Sequence, residues 1–439
     1  MSALKKEKMR NKIYFITSSL ILCFLTLSAQ IIERPVYGCF LLQGGTVHTI
    51  TNGSMEGDVL INEGRITAIG ENLSLPGNCE LIDASGKEVY PGFIDAGTKL
   101  GLSEISSVSL TRDFNEHGNI TPHMQALTAI NPNGVPIAVT RVEGVTTVLS
   151  APSGGLLPGT AAVIDLFGYN PDQMYAGAKA MILEFPSSGK RGRWDRRSAE
   201  KIQEDYEQAM ERLNDFWKEA VRYQEIRKTE ESEIRTIAQY EAFLPVLSKE
   251  MPLFIEVNRA QDIVNAIEWA KEREVKVVLT GVAEGWRLTD EILESGFPVV
   301  TGPVLQTPSR AYDKYDRPYA NAGAMHNAGI KVAIRTNETE NVRNLPFNAG
   351  YAAAYGMGRE QALRAVTIVP AEILGIDDEL GSIEVGKKAN LFISNGDPFE
   401  PRTQIEQVFI RGWKIPMESR HTQLYDQFLE RTPGAQMND

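Results

Sequence analysis

Between residues 89 and 335 the chain alternates short apolar runs with longer amphipathic stretches. The runs are Val89–Ile94, Thr146–Leu149, Ala161–Leu166, Met181–Phe185, Phe254–Val257, Val275–Leu279, Phe297–Val300 and Val332–Arg335. Short, near-continuous apolar runs suit strands buried on both faces, and such strands need helices packed over them. Eight of them, interleaved with helical stretches, predict an α/β fold: a distorted (β/α)8 TIM-like barrel. In such barrels chemistry sits where the strands end, at the C-terminal face.

The two ends of the chain have another texture. "GDVLINEGRITAIG" (57–70) is two alternating runs joined at Asn62-Glu63-Gly64, a hairpin pattern, and "CELIDASGKEVY" (79–90) is strand, turn and strand. "GSIEVGKKANLFISNGDPF" (381–399) and "QIEQVFIRGWKI" (404–415) repeat it. Strands at both ends can pair with each other and enclose the middle. The expected organisation is a composite β-sandwich domain from residues 30–90 and 377–415, a barrel over 91–376, and a C-terminal tail over 416–439. A helical insertion is expected at about 187–245, where Ile202, Tyr206, Ala209, Leu213, Trp217, Ala220 and Tyr223 recur at helical spacing.

The start reads as a targeting segment. Lys5, Lys6, Lys8, Arg10 and Lys12 precede an apolar stretch from Ile13 to Leu27, and Leu27-Ser28-Ala29 fits a cleavage site. A signal peptide over 1–29 implies export to the periplasm or the extracellular space, with no membrane span after cleavage. Removing it takes the formal charge from −12 to −16, since it carries five basic and one acidic residue. So acidic a chain is a poor nucleic-acid binder. Cys39 and Cys79 remain, in no zinc-type or redox spacing. A disulfide is open to them, but two lone buried thiols are the expected state.

Residues 91–102, "PGFIDAGTKLGL", read as a strand that turns polar at Asp95 and breaks at Gly97. With "LLQGGTVHTITNGSMEGDVLINEGRITAIG" (41–70), "LIDASGKEVYPGFID" (81–95) and "ALRAVTIVPAEILGIDDELGSIEVGKKANLFISNGDPFEPRTQIEQVFIRG" (362–412), the chain resembles the amidohydrolase superfamily, in its imidazolonepropionase-like and dihydroorotase-like branch. That resemblance implies hydrolysis of non-peptide, often cyclic, carbon–nitrogen bonds by one or two divalent cations, usually zinc. The metal lowers the pKa of a bound water and polarises the carbonyl. It also implies histidines at two alternate positions of strand one, at two of strand five and on strand six, with an aspartate ending strand eight.

At those places this chain has Gly97 and Lys99, Glu256 and Asn258, Gly281, and Asn337. An amide at Asn337 can neither deprotonate a water nor serve as an anionic ligand. The expectation is therefore a metal-free site with no cofactor, zinc being the family's expectation. Two arrangements of the vacated positions are open. Lys99 and Glu256 pair and neutralise each other, or Lys99 turns to solvent and Glu256 bonds a neighbour. Arg112, His117, His123, Arg141 and Glu284 are candidates for the pocket rim. "APSGGLLPGT" (151–160) reads as a βα loop without a nucleophile-elbow pattern. The expected function is binding of an unidentified small molecule, or of a partner such as an intact relative or a second copy. The alternative is an active carbon–nitrogen hydrolase with a non-standard site.

Overall fold

Eight strands form the barrel: β1 (Phe93–Thr98), β2 (Val145–Ser150), β3 (Gly159–Asp165), β4 (Tyr175–Glu184), β5 (Leu253–Val257), β6 (Val277–Gly281), β7 (Val299–Thr301) and β8 (Val332–Ile334). They neighbour one another in chain order. The computed structural model describes residues 34–105, 107–190, 195–229 and 235–431. The expected signal peptide and the last eight residues of the expected tail lie outside them.

Past the strand ends, Asn337 N–H donates to Gly97 O and Lys99 N–H to Glu338 O, both at 2.9 Å, which draws the end of β8 back to β1. The sheet is parallel from β4 to β8 and between β1 and β2. β3 alone runs antiparallel to both neighbours. The expected distortion is therefore a reversed third strand. The "APSGGLLPGT" segment, expected as a βα loop, instead links antiparallel β2 and β3.

A second, nine-stranded sheet contains strands from both chain ends. Glu88–Pro91 joins them, pairing parallel with Cys39–His48 and antiparallel with Leu391–Ser394. Inward alternation gives this sheet its own core, with Phe40, Leu42, Val59, Ile61, Leu391, Ile393 and Phe409. One expected strand divides here: Val89–Ile94 is not continuous. Glu88–Pro91 belongs to the second sheet and Phe93–Thr98 to the barrel. Gly92 makes the crossing, where a Cβ would collide with the Thr146 side chain, so only glycine lets the strands pass this closely.

The insertion is one long helix, Ala199–Lys228, followed by Ala238–Leu247. Ser198 caps it by accepting from Lys201 N–H at 3.2 Å. Ile202, Leu213, Ala220 and Tyr223 of the expected stripe are buried, together with Phe216. Phe216 meets Phe243, and Trp217 stands edge-on to Trp269, while Trp269 Nε1 donates to Asn214 Oδ1 at 2.9 Å. The helix thus spends its apolar face on its own chain. Among the described residues no helix is long and apolar enough to cross a membrane.

Cys39 and Cys79 are not lone thiols. They form a disulfide with Cα atoms 4.4 Å apart. Cys39–His48 and Cys79–Asp83 pair in parallel with these two residues in register, which places the sulfurs side by side. That pairing is a tertiary fact with no local trace in the sequence. The bond closes a loop of 40 residues. Replacing both cysteines by alanine should lower unfolding free energy by roughly 2–4 kcal/mol, read as a reduced urea midpoint.

Candidate functional site

The barrel interior is layered by strand alternation. Ile182 on β4, Phe254 on β5, Val278 on β6 and Ala333 on β8 form an apolar floor. Two residues further along each strand, on the same face, come Glu184, Glu256, Thr280 and Arg335. These four, with Lys99, Ser153 and Asn337, line a cavity of about 250 Å3 at the C-terminal end of the strands. Leu149, Ile182 and Phe254 form its apolar wall.

Arg335 organises the mouth. Its side chain is only 8% exposed, and Nη2 donates to Glu256 Oε2 at 2.6 Å. Glu256 also accepts from Thr280 Oγ1 at 2.8 Å and from Asn258 Nδ2 at 3.1 Å. Burial pushes the Glu256 carboxyl up, but the Arg335 charge and these hydrogen bonds outweigh it, and the net shift is downward. Glu256 therefore stays ionised.

The expected Lys99–Glu256 ion pair does not form. Lys99 Nζ donates to Asn337 Oδ1 at 3.1 Å and stands 5.9 Å from the centre of the Phe114 ring. The cation on Glu256 is Arg335, which sits two residues before Asn337 and shares its strand face. Lys99 lies below its usual range, first because it is partly buried and next because Arg335 is nearby, with Glu256, Glu184 and Glu338 opposing.

The two glycines at expected ligand places are filled from the side. At Gly97 a Cβ would lie 2.7 Å from Arg335 Cδ and 3.3 Å from its Nη1. At Gly281 it would fall on Asn258 Oδ1 and lie 2.6 Å from Glu256 Oε1. Gly281 has φ +81°, and Val282 after it is held at φ 48°, a conformation that β-branched residues rarely adopt. Of these positions, Gly97, Lys99, Glu256 and Asn337 line the cavity, and Asn258 and Gly281 stand against Glu256. Arg335, which sequence reasoning passed over as the last residue of a strand, holds the group together.

The expected rim does not assemble, and none of its five residues lines the cavity. Arg141 ends the helix Val135–Arg141, before β2 begins, and so lies at the opposite end of the barrel, where Nη1 reaches Leu166 O at 3.4 Å. Glu284 is buried and engaged, accepting from Arg310 Nη2 at 2.5 Å and from Ala260 N–H at 2.9 Å. Arg112 and His117 are exposed on the 101–125 segment. His123, on the same segment, has a buried Nδ1 without a partner.

The donor set does not fit a divalent cation. Around the old ligand places stand a guanidinium, an ammonium, two amides and two carboxylates, Glu256 already in an ion pair and Glu184 already accepting from Gly154 N–H. Among the described residues no group of three or more His, Cys, Asp or Glu is arranged to hold a metal. The Glu256 carboxylate is already taken up by Arg335, so it is not free to hold a dication.

A sequence model of the amidohydrolase family matches residues 257–414. A protein described as "Amidohydrolase tasK" from Hapsidospora irregularis is 23% identical over 387 residues, covering 81% of this chain and 39% of that protein. The chain thus spans about two fifths of that relative's length. A D-hydantoinase from Geobacillus stearothermophilus is 40% identical over 90 residues, 20% of this chain and 18% of the enzyme. The crystal structure of an amidohydrolase from Thermotoga maritima superposes with TM-score 0.76 at 26% identity, covering 86% of this chain and 99% of that one. These matches support membership of the amidohydrolase superfamily. The chain is similar to these proteins, and in its barrel the strand ends carry the residues described above.

Asp95 lies beneath the mouth and is fully buried. It accepts from Thr336 Oγ1 at 2.5 Å and from Gly97 N–H at 3.0 Å. Burial pushes its carboxyl up to about 7, against those hydrogen bonds and the Arg335 charge. The folded state thus holds a proton that the unfolded chain releases near its ordinary value of 3.8. This contribution to stability is full below that value and is lost as pH rises to about 7. Asp95→Asn mimics the protonated form, so its stability relative to wild type should grow by up to about 1.4 kcal/mol per pH unit between those limits and then level off. Denaturant titrations across that range measure it. Separately, Gly97→Ala should cost roughly 1–3 kcal/mol by crowding Arg335, and most of that cost should vanish in an Arg335→Ala background.

Proposed function

We propose that this protein is a metal-free amidohydrolase-fold binder, in which a salt-bridged arginine takes the place of the catalytic cation and the mouth receives a small molecule. One observation carries the reading: Arg335 lies over Gly97 and is paired to Glu256. A histidine at position 97 would have to displace it, and the family's water-activating step needs histidines and an aspartate where this chain has Gly97, Lys99, Glu256, Asn258, Gly281 and Asn337. The cavity beside the pair is enclosed on one side by apolar walls, as small-molecule sites are. Crevices elsewhere make weaker candidates. The one beside Tyr37 and Trp413 is wider, but its Arg411 is already engaged with the Phe167 and Gln173 carbonyls.

The same reading places the protein outside the cytoplasm. The basic and apolar leader supports this, and so does the Cys39–Cys79 disulfide, a bond that persists in oxidising compartments.

The test is metal analysis of the purified mature chain, after incubation with zinc and dialysis, alongside assays on cyclic amides such as hydantoins. The expected result is far less than one zinc per chain and no metal-dependent turnover. Stoichiometric zinc, or hydrolysis that chelation abolishes, contradicts the proposal.

A further inference from the structure

The groups at the mouth divide into those whose hydrogen-bonding capacity is used and those whose capacity is spare. The carboxylates are used. Glu256 accepts from Arg335, Thr280 and Asn258, and Glu184 Oε1 accepts from Gly154 N–H at 2.6 Å. The cations are not. A guanidinium carries five N–H donors and an ammonium three. Among the described residues Arg335 engages a protein acceptor only through Nη2, and its Nε is buried without a partner. Lys99 Nζ engages only Asn337 Oδ1.

An arginine this well buried with most of its donors unmet is uncommon, because buried polar groups are nearly always satisfied. Its orientation is nonetheless fixed: Glu256 holds Nη2 and Gly97 leaves room for Cδ. A planar fork held this way is preorganised for a planar anion, since guanidinium and carboxylate match in geometry. Lys99 lines the same cavity and offers a second, more flexible donor. The rest of the wall limits what the anion is attached to. About 250 Å3 lies below the ~300–1,000 Å3 of pockets for drug-sized ligands. Leu149, Ile182 and Phe254 offer only apolar contact to the ligand's body.

We propose that this cavity is a binding site for a short-chain carboxylate, its carboxylate accepting hydrogen bonds from Arg335 and Lys99 where a metal-dependent relative would hold a cation. The hydrocarbon end packs on Leu149, Ile182 and Phe254. The assignment rests on the metal-free reading of the same site and adds the ligand's charge, size and orientation to it.

Calorimetric titration of the mature chain with acetate, propionate, butyrate and hexanoate, each beside its primary amide, tests the assignment. The carboxylates should bind saturably, and the uncharged amides at least about tenfold more weakly, the loss expected when a charge-assisted hydrogen bond is removed. Lys99→Met should weaken carboxylate binding by about tenfold on the same grounds. Arg335→Met alone would leave Glu256 buried without its cation, so it is combined with Glu256→Gln. That double variant, shown to be folded by circular dichroism and a cooperative melt, should bind no carboxylate measurably. Three results would each overturn the assignment: no carboxylate binding by the intact protein up to millimolar concentration, equal binding of acids and amides, or wild-type affinity in the folded double variant. None of these bears on zinc retention, so a failure here is distinguishable from a failure of the metal-free reading.

Discussion

A guanidinium from the end of β8 meets a carboxylate from the end of β5 at 2.6 Å, in a mouth whose floor is apolar. Either charge there alone would lack a counter-ion. Removing one partner of a buried ion pair typically costs 3–5 kcal/mol, because the survivor is left desolvated and unpaired. The pair is therefore a joint constraint, and the neighbouring residues conform to it. Thr280 and Asn258 supply further donors to Glu256, Gly97 makes room for Arg335, and Gly281 makes room for Asn258 and Glu256. The changes at the expected ligand places of β1, β5 and β6 are thus parts of one packing solution. A histidine at Gly97 or Gly281 would meet side chains already in place.

The same pair separates fold from chemistry. The barrel's strand ends converge on one face and bring the six positions where the family resemblance expects ligands around one small region. What those positions carry is different. A site built to activate water needs imidazoles and carboxylates around a cation. In the reading proposed above, the spare N–H donors and the apolar wall of the present site suit recognition of a small anion. Function follows the site, and the fold supplies only the frame.

Much of the frame was legible in the sequence because it depends on local periodicity. Apolar runs named the eight strands, and glycine-punctuated alternation marked the second sheet at both chain ends. What escaped depends on pairing across the chain. The Cys39–Cys79 bond follows from a parallel register, the reversal of β3 from how its strand docks, and the split at Gly92 from one close approach to Thr146. In the site, Lys99, Glu256, Asn258 and Asn337 were found by position, but Arg335 and Thr280 were not. Arg335 left a usable signal: alternation from the buried Ala333 turns it toward the interior, where an arginine needs a counter-ion. Arg141 was misplaced although it precedes the expected run Thr146–Leu149, and Glu284 lies just past β6 but is turned to Arg310, a pairing with no local trace in the sequence.

The most direct test of this account is a high-resolution crystal structure of the mature chain grown with excess zinc, with anomalous data collected at the zinc edge. The account predicts the Arg335 guanidinium on Glu256, close over Gly97, and no zinc peak among Gly97, Lys99, Glu256, Asn258, Gly281 and Asn337. A zinc ion at those positions, with Arg335 swung away from Glu256, would contradict it.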